Sequence, residues 1–587
     1  MTSTWFGLEI AKRGTQVYRK AMDVTGHNIS NTNTPGYSRQ EAVISPSDPF
    51  TRPDYLTSMT PGQLGTGSDV KEVRRIRDYY LDVQMRDSNS FGGYWAKKLE
   101  LAKQTEAVFL EPDGRGLQKT LLEFFNDWQN LNNSPQDPGV KKAVKETGDE
   151  LATIFRQMYA QLSNIDKSVP GSLQYQVDQV NLITSRIADL SNTIINVKGN
   201  GGQPNDLMDQ RDLLLDELAT FGQITVNLQD NGGIEVRFIE SPCLLVKSDA
   251  NGKAITSKLS LITNAGKDGN ENYLAVNGKA VTNLTVMAEY FNKAPEGAGK
   301  GSILAQESAR LENLAVINQL DLLAKSIIER VNERSGLPGP AELTKPFSFF
   351  TGNGAADISL GEEVKNNPQV IIGENALSVA QLGNTPIRTL TGSADLRNGR
   401  KFDELSQTRF TVELPNGNKQ EIDLYLDGGL ALGERTFGEI KAAIQKALDH
   451  KFGKGEVSVG DDGLGHLAFT LNKGDGILKV DGVGSDKEGL AFLFGEPKSI
   501  TVLGDTFENY FQGLVAQVGA SSKHHDHMLE NQQAIGQQIE ALRQSVSGVN
   551  LDEELTKVIQ YQYGYQACAR MLSMQDEMLD YLINRIR

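Results

Sequence analysis

The stretch HNISNTNTPGYSRQ, residues 27–40, joins a helical pattern to a pattern that alternates like a strand. Asparagine tolerates the left-handed conformation that ends helices, so we expect the helix to end near Ile29 to Asn31. In the tetrapeptide 34–37, proline fixes φ at the second position and glycine supplies a positive φ at the third, which predicts a type II turn. The segment therefore turns a long helix into a returning strand with Tyr37 as an anchor. Composition alone would favour an ordinary surface turn, since turns of this kind are common.

The helix before this stretch carries a narrow heptad seam. Its pattern runs from about Thr4 to Thr25. The seam positions alternate by four and three and are Ile10, Gly14, Val17, Ala21 and Val24. A stripe this thin buries little apolar surface by itself, so the helix requires a partner helix.

A second heptad seam lies at the other end of the chain. Its positions are Leu551, Leu555, Val558, Gln562, Tyr565, Ala569 and Leu572, followed by Leu579, Ile583 and Ile586. This helix begins at Asn550 or Ser547 and spans ~50–60 Å at 1.5 Å per residue. The pattern leaves two interpretations open: the two chain ends pair as a coiled coil, or each packs on the body of the chain.

Between the ends, helical and β-rich segments alternate. Long amphipathic helices are predicted over 88–200, 308–336 and from residue 506 to the C-terminus, with a break near Ser547-Gly548. Residues 224–239 predict a hairpin, and further short strands extend to about residue 290. In the Gly-rich region 391–500, a second hairpin turns at Asn416-Gly417, and Thr436 with Glu439 forms a capping box.

These patterns predict an α+β protein with a helical-bundle body and β-rich inserted modules. The predicted domains are a terminal coiled-coil domain (1–55 and 547–587), a mainly helical body (56–390 and 501–546) with a β-rich segment at about 221–300, and an inserted β-rich outer domain (391–500). A chain of 587 residues is too long for one core, which agrees with several domains.

Composition and charge exclude several classes of protein. The net charge of -16 argues against a general nucleic-acid or anionic-membrane binder. No apolar run is long enough to span a bilayer, and the N-terminus lacks the features of a secretory signal. Cys243 and Cys568 are far apart, so the chain is not a disulfide-built secreted protein. We expect a cytoplasmic protein or one exported without a cleavable signal.

No segment carries a convincing catalytic, cofactor or metal motif. EGAGKGS (296–302) lacks the glycine and the Ser or Thr of a phosphate loop and is interpreted as a surface loop. KHHDHM (523–528) has no His pair at i,i+4 and is interpreted as an exposed polar face. The sequence has no G-x-S-x-G, HExxH or convincing Cys/His pair. We therefore predict no enzyme, no cofactor and no metal.

The stretch VTGHNISNTNTPGYSRQ (24–40) resembles the N-terminal signature of bacterial flagellar axial proteins, the rod, hook and junction proteins. Its TGHNI and NTPGYSRQ segments are similar to those of the first hook-filament junction proteins, and Tyr37-Ser38-Arg39 favours them over rod and hook proteins. Residues 347–371, 514–519 and 547–587 are also similar to that family, whereas 391–500 carries no assignable motif. The motif residues that the resemblance marks for assembly are Asn28, Asn31, Asn33, Thr34, Pro35, Gly36, Tyr37, Ser38 and Arg39.

The resemblance implies a structural protein that forms a ring between hook and filament. It implies paired terminal helices lining the inner tube, with Ile10, Val17, Val24, Leu551, Leu555, Val558, Tyr565, Leu572, Leu579 and Ile583 as packing residues. It further implies export by the flagellar type III apparatus and a final extracellular location. The implied partners are further copies of the chain, the hook protein, a second junction protein (FlgL-like) and an export chaperone (FlgN-like) that holds the C-terminal helix.

Two alternatives from other classes stay open. A hook or rod subunit would carry the same terminal signature and would polymerise extensively. An enzyme or adhesin module could occupy 391–500, for which a wall hydrolase would need converging carboxylates in that module.

Overall fold

The structure is a computed structural model that describes most of the chain. The described residues are 6–48, 65–109, 116–238, 244–249, 252–265, 271–293, 299–335, 348–384, 389–391, 394, 396, 399–461, 467–472, 476–484, 487–495, 498–503 and 505–585. Within these ranges, no helix is long and apolar enough to cross a membrane.

Helices dominate the chain, and most of them are long because their apolar residues recur at helical spacing. They are α1 (Phe6–Ser30), α2 (Tyr79–Phe109), α3 (Leu117–Asn133), α4 (Pro138–Gly199), α5 (Asn205–Phe221), α6 (Leu284–Lys293), α7 (Ser302–Ser335), α8 (Glu362–Asn366), α9 (Ala376–Ala380), α10 (Phe437–Phe452), α11 (Glu488–Leu493), α12 (Phe507–Ser547) and α13 (Leu551–Arg585).

The strands form small antiparallel sheets. They are β1 (Gln40–Pro46), β2 (Ser68–Arg75), β3 (Ile224–Leu228), β4 (Ile234–Phe238), β5 (Leu244–Ser248), β6 (Ala254–Thr256), β7 (Leu259–Ala265), β8 (Glu271–Val276), β9 (Lys279–Asn283), β10 (Phe350–Thr351), β11 (Ser359–Leu360), β12 (Thr389–Thr391), β13 (Arg400–Phe402), β14 (Arg409–Glu413), β15 (Lys419–Asp423), β16 (Gly433–Arg435), β17 (Val457–Asp461), β18 (Leu467–Leu471), β19 (Gly476–Asp481) and β20 (Lys498–Val502). The larger sheets have the orders β3-β4-β5-β6, β7-β8-β9, β12-β18-β17 and β15-β14-β19-β20. The α+β fold class is therefore confirmed.

The local predictions with specific turn or cap chemistry are confirmed. β3 and β4 pair as the first hairpin, and β14 and β15 pair as the second, with Gly417 at a φ of 79°. Thr436 and Glu439 form both hydrogen bonds of the capping box that opens α10. Asn550 opens α13, because its Oδ1 accepts from the backbone N–H of Asp552 at 3.0 Å. The predicted break near Ser547-Gly548 separates α12 from α13.

Within the predicted helical region 88–200, Pro170 lies inside the single 62-residue helix α4. The Gly-rich segment interpreted as a surface loop differs from the structure, although residues 296–298 of it lie outside the described ranges. Gly299 and Gly301 are buried, and a Cβ on Gly301 would lie 2.2 Å from the Cα of Gly222. This segment is packed because glycine alone permits that approach.

The chain divides into two compact units, each with its own cores. The terminal unit comprises Met1–Glu100, Val169–Leu311 and His524–Arg587, and the middle unit comprises Leu101–Ser168 and Glu312–Lys523. The main core of the terminal unit packs α4, α5 and α7 residues against strands β3 to β8. In the middle unit, residues of α3, α4, α7 and α12 form one core, and residues between 390 and 494 enclose a second. The predicted domain boundaries stay a prediction.

Candidate assembly site at the chain termini

Helices α1 and α13 pair with each other along most of their length, within the terminal unit. Gly7 lies against Gln575, Gly14 against Cys568, Tyr18 against Tyr561, and Asn28 against Glu554. Because the residue numbers rise on one helix as they fall on the other, the pair is antiparallel. Of the two interpretations that the sequence left open, the coiled coil of the chain ends is the one that the fold contains.

The helices approach closely because glycines lie in the contact. A Cβ built on Gly14 would lie 2.6 Å from the Cys568 Sγ, and one built on Gly564 would lie 2.6 Å from the Tyr18 ring. Real Cβ atoms do not tolerate such distances, so the close approach depends on these glycines. Cys568 lies in this contact as a free thiol whose pKa is raised by burial.

The α1 seam agrees in part with the predicted positions. Val17 is 3% exposed, and Gly14 and Ala21 are also buried, whereas Ile10 and Val24 are half-buried. Thr25 and Asn28 continue the buried stripe towards the C-terminal end of the helix. The buried face is therefore polar where α1 reaches the turn, a feature that apolar periodicity does not detect.

On α13, the buried positions differ from the predicted seam more than they do on α1. Val558, Tyr565, Leu572 and Leu579 are half-buried, but Leu551 and Leu555 are exposed, and the side chain of Ile583 lies outside the described ranges. Glu554 and Cys568 face α1 in place of the first two leucines. The contacting face is rotated because Gly14 leaves room for the Cys568 thiol and Asn28 binds the Glu554 carboxylate. The roles predicted for the seam residues in assembly stay predictions.

The glycine contact gives a direct prediction for α1. Gly14→Ala should leave the α1–α13 pair less stable than Gly26→Ala by about 1–3 kcal/mol, the usual cost of overpacking. Both changes gain helix propensity, but the site of a Cβ on Gly26 is open. Hydrogen exchange of α1 and α13 in the full chain measures the difference. The double variant Gly14→Ala/Cys568→Ala should recover stability, and equal protection of the two single variants would contradict the close contact.

Asn28 is the residue around which the opening motif is built. It is 1% exposed, and its Nδ2 donates to the Gln40 backbone carbonyl and to Glu554 Oε2, both at 2.8 Å. Its Oδ1 accepts from the Gln40 backbone N–H at 2.9 Å and from the Tyr37 hydroxyl at 2.8 Å. All four bonding positions of the amide are thus used, which only asparagine allows at this length. The residue fixes α1, the start of β1 and α13 to one another.

The turn between α1 and β1 has the predicted geometry. Asn31 Nδ2 donates to the His27 carbonyl at 3.0 Å, and its Oδ1 accepts from the Thr34 hydroxyl at 3.1 Å. The Tyr37 N–H donates to the Thr34 carbonyl at 3.2 Å, and Gly36 has a φ of 76°, as a type II turn requires. Asn33, Thr34 and Pro35 are exposed at the tip.

Ser38 and Arg39 join the motif to other helices of the terminal unit. Ser38 donates from its backbone N–H and its hydroxyl to the two carboxylate oxygens of Asp209 on α5, at 3.0 and 2.8 Å. Arg39 donates from its backbone to the Ser547 carbonyl at 2.8 Å and from Nη1 to Glu553 Oε2 at 3.0 Å. The motif therefore contacts the corner between α12 and α13 as well as α5.

Behind the motif lies a buried cluster of charged side chains on α5, β2, α2 and α12. The Asp–Arg cluster comprises Asp82, Asp209, Asp212 and Asp216 with Arg75, Arg77, Arg86 and Arg543. Arg75 Nη1 lies 2.7 Å from Asp209 and 2.9 Å from Asp212, and Arg543 Nη1 lies 2.6 Å from Asp216. Four carboxylates pair with four guanidinium groups, and two further charges adjoin them: the buried Arg211 near Asp212, and Glu540 at 2.9 Å from Arg543.

Burial and the neighbouring arginine charges have opposite effects on the pKa values of the aspartates in this cluster. Burial disfavours the charged form of Asp212, but Arg77, Arg75 and Arg86 outweigh it and lower the pKa of this carboxyl. Burial raises the pKa of Asp216 against the opposing charges of Arg543 and Arg86. The ionised carboxylate of Asp212 is therefore the one that the surrounding arginines hold most firmly.

Burial also raises the pKa of Tyr37, and the negative charges of Asp206, Asp209 and Glu554 add to the shift. Since the phenol ionises in the unfolded chain at about pH 10, the unfolded chain loses this proton first as the pH rises. The stability contributed by Tyr37 is complete below that pH and is lost above it. Melting temperatures between pH 8 and 11 should fall less steeply in Tyr37→Phe than in the unmodified chain.

A matched control is Tyr175→Phe, which alters a tyrosine 65% exposed on α4. That variant should follow the unmodified chain over the same pH interval. Parallel curves for Tyr37→Phe and the unmodified chain would contradict the role assigned to the phenol.

Sequence reasoning missed the Asp–Arg cluster. The spacing of its residues is visible in the sequence. Asp209, Asp212 and Asp216 lie at i, i+3 and i+7 on α5, and Arg75 ends β2 with Arg77 two residues further on. Charges at such spacings usually form a solvated face, so the pattern by itself does not indicate burial.

The His-rich segment agrees only in part with its interpretation as an exposed polar face, because Lys523, His524 and His527 are exposed but His525 is buried. His525 is 3% exposed and lies 5.7 Å from the Trp95 ring, and His524 lies at the same distance edge-on. Burial, with the nearby Lys98, lowers the pKa of His525 to about 3. No group of three or more His, Cys, Asp or Glu that could hold a metal ion occurs within the part of the chain that the structure describes.

The outer surface of α13 carries an exposed apolar ridge. The apolar ridge comprises Leu551, Leu555, Ile559, Tyr563, Met571, Met574 and Met578, each between 46% and 68% exposed. Its first four members recur at i+4, so they form a continuous row along the helix. Large contiguous apolar surfaces of this kind mark sites of contact with other proteins.

Two family models match parts of this chain, and one of them covers helix α13. Residues 542–585, which hold the end of α12 and nearly all of α13, match the family model "Flagellar basal body rod FlgEFG protein C-terminal". Residues 102–337 match "Flagellar hook-associated protein FlgK helical domain". The two matched segments are thus similar to proteins of the flagellar axial class.

The relatives that match this chain over nearly its full length are flagellar hook-associated proteins. The chain is 27% identical over 599 residues to flagellar hook-associated protein 1 of Bacillus subtilis, covering 100% of this chain and 99% of the relative. It is 25% identical over 583 residues to the protein of the same name from Escherichia coli, with 98% of each chain covered. The hook junction protein FlgK of Burkholderia pseudomallei superimposes with a TM-score of 0.44 at 16% identity, covering 79% of this chain and 100% of that one.

The family-model matches and the full-length relatives confirm the recognition of the chain as a FlgK-type flagellar hook-associated protein. These relatives are named as flagellar hook-associated proteins and not as enzymes, so the expectation that the chain is not an enzyme is confirmed.

Proposed function

We propose that the chain is a structural junction protein of the bacterial flagellum, which assembles as a ring between hook and filament and is required for filament attachment. The observation that carries the proposal is the apolar ridge on α13, which α1 leaves uncovered. Exposed apolar side chains gain stability when neighbouring subunits remove them from water. A ring of copies would provide such neighbours to every α13 but would leave the rest of the fold unchanged.

The proposal includes a route and a set of partners. The protein would leave the cytoplasm through the flagellar type III apparatus without a cleavable signal and would lie outside the cell. Its partners would be further copies, the hook protein, a second junction protein (FlgL-like) and an export chaperone (FlgN-like). The names of the relatives support the hook partner, and the exposed α13 supports capture of that helix before export.

Deletion of the gene tests the function. We expect complete hooks without filaments, and flagellin released into the medium. Absent hooks would place the protein inward, as a rod or hook subunit. Normal filaments would refute the junction role and would direct attention to residues 391–500.

Chaperone capture has its own test on α13. Truncation at Gly548 should abolish binding of the full chain to its export chaperone, and Ile559→Ser should weaken it by removing part of the apolar ridge. Gln560→Ser is the matched control, since Gln560 is a neighbouring exposed polar residue. Unchanged binding by the truncated chain would refute capture through this helix.

A further inference from the structure

The outer face of α1 is basic. Lys12, Arg19 and Lys20 are exposed and lie on the side of the helix opposite the buried stripe. Within the described part of the chain, no ion pair joins any of the three to a carboxylate. Asp23 shares this face, and Glu9 is engaged by Arg13 at 3.1 Å. Helix α1 thus carries four basic and two acidic residues, a net charge of 4 - 2 = +2 in a chain of net charge -16.

The distal half of α13 carries a slight excess of acidic residues. From residue 570 to 585 it holds two basic residues, Arg570 and Arg585, and three acidic ones, a net charge of 2 - 3 = -1. Glu553 and Glu554, near its start, are engaged by Arg39, Lys557 and Asn28. Asp576 and Glu577 are exposed beside Met574 and Met578 of the apolar ridge, and no ion pair joins them to a base among the residues described.

These two surfaces do not meet within the described chain. The antiparallel pair places Gly7 beside Gln575 and Gly14 beside Cys568. Asp576 therefore lies level with the start of α1, roughly 6 residues from the level of Lys12 and roughly 14 from that of Lys20, or ~9 and ~21 Å at 1.5 Å per residue. Each surface also points away from the contact between the helices. Both remain available to another molecule.

The chemistry of the surfaces favours a second copy of this chain as that molecule. With a net charge of -16, copies of the chain repel each other at long range. The basic face of α1 can bind an acidic surface of a neighbouring copy. The end of α13 supplies acidic groups next to apolar side chains that need cover. Complementary charge of this kind sets the orientation and register of an interface.

We propose that the basic face of α1 in one copy binds the acidic distal end of α13 in the next copy, with the two copies staggered along the helix axes. The inference rests on the proposed function, because it names the contact through which the ring would form. The two surfaces differ, so the contact is heterologous, and its repetition builds a ring or a helical turn instead of a closed pair.

Reversing the charges of the two surfaces in the full-length protein tests the contact. Cells lacking the gene would receive Lys12→Glu/Arg19→Glu/Lys20→Glu, Asp576→Lys/Glu577→Lys, or both sets together. We expect each set alone to reduce the number of attached filaments at least tenfold and the combination to restore it to within about threefold of normal. Misfolding does not mimic this result, because a second damaging set would not rescue the first.

The control variant is Lys142→Glu/Lys167→Glu/Arg186→Glu, which makes the same charge change at exposed residues of α4. It should leave filament attachment normal. Normal attachment in both single sets, or no recovery in the combination, would overturn the proposed contact and leave the junction role intact. Loss of chaperone binding confined to the α13 set would assign the acidic end to the chaperone and would also overturn it.

Discussion

Replacing Asp212 by alanine should lower the free energy of opening the terminal unit around α5 by about 3–5 kcal/mol, the usual cost of removing one partner from a buried ion pair. The carboxylate lies 2.9 Å from Arg75, 3.4 Å from Arg77 and 3.6 Å from Arg86. Its loss leaves guanidinium charge buried without compensation. Hydrogen exchange of α5 and α2 peptides in the full chain measures the change, because it reports local opening in a protein of several units.

Glu217→Ala is the matched control for Asp212→Ala. Glu217 lies on the same helix but is exposed, so its loss should change the opening free energy by less than about 0.5 kcal/mol. A change of less than 1 kcal/mol for Asp212→Ala would show that Asp209 and Asp216 compensate for the missing charge. The cluster would then be a redundant network in which no single aspartate is required.

Replacing Asn28 by alanine should destabilise the α1–α13 pair by about 2–4 kcal/mol, since buried polar groups that lose their partners cost about 1–3 kcal/mol each. The change removes bonds to the backbone N–H and carbonyl of Gln40, to the Tyr37 hydroxyl and to Glu554. Some of these groups can reach water after the helices separate, so the costs do not simply add. We expect faster hydrogen exchange in both α1 and α13.

The matched control is Asn33→Ala, which alters an exposed asparagine of the same turn. It should have little effect on exchange in either helix. If Asn28→Ala accelerated exchange in β1 alone, Asn28 would serve only the turn, and its bond to Glu554 would contribute nothing to the pairing of the chain ends. In that case, filament attachment should also be normal in the variant.

Several features of the terminal region follow from short-range rules and were predictable. The end of α1, the turn through Gly36 and the start of α13 at Asn550 depend on residues close in sequence. Glycine, proline and asparagine have strong local preferences, so their positions are informative without knowledge of the fold. The hairpin at Asn416-Gly417 and the capping box at Thr436 are predictable for the same reason.

Other features depended on contacts between distant residues. Heptad spacing indicated that Leu551 and Leu555 belong to the α13 seam, yet both are exposed, because the Asn28–Glu554 bond turns a different face of α13 towards α1. His525 was expected on an exposed face and is buried against Trp95, about 430 residues earlier in the chain. Periodicity records how apolar residues are spaced, but the partner decides which face is covered.

By itself, the sequence determined the helical termini, the turn that returns the chain after α1, the β-rich character of the inserted segments and the kinship with flagellar axial proteins, because these depend on neighbouring residues and on a specific motif. Only the tertiary structure decided that Asn28 joins α1 to α13, that four aspartates and four arginines share one buried cluster, and that α13 keeps an apolar ridge exposed. Those arrangements join residues up to 526 positions apart, and no local preference specifies such a pairing.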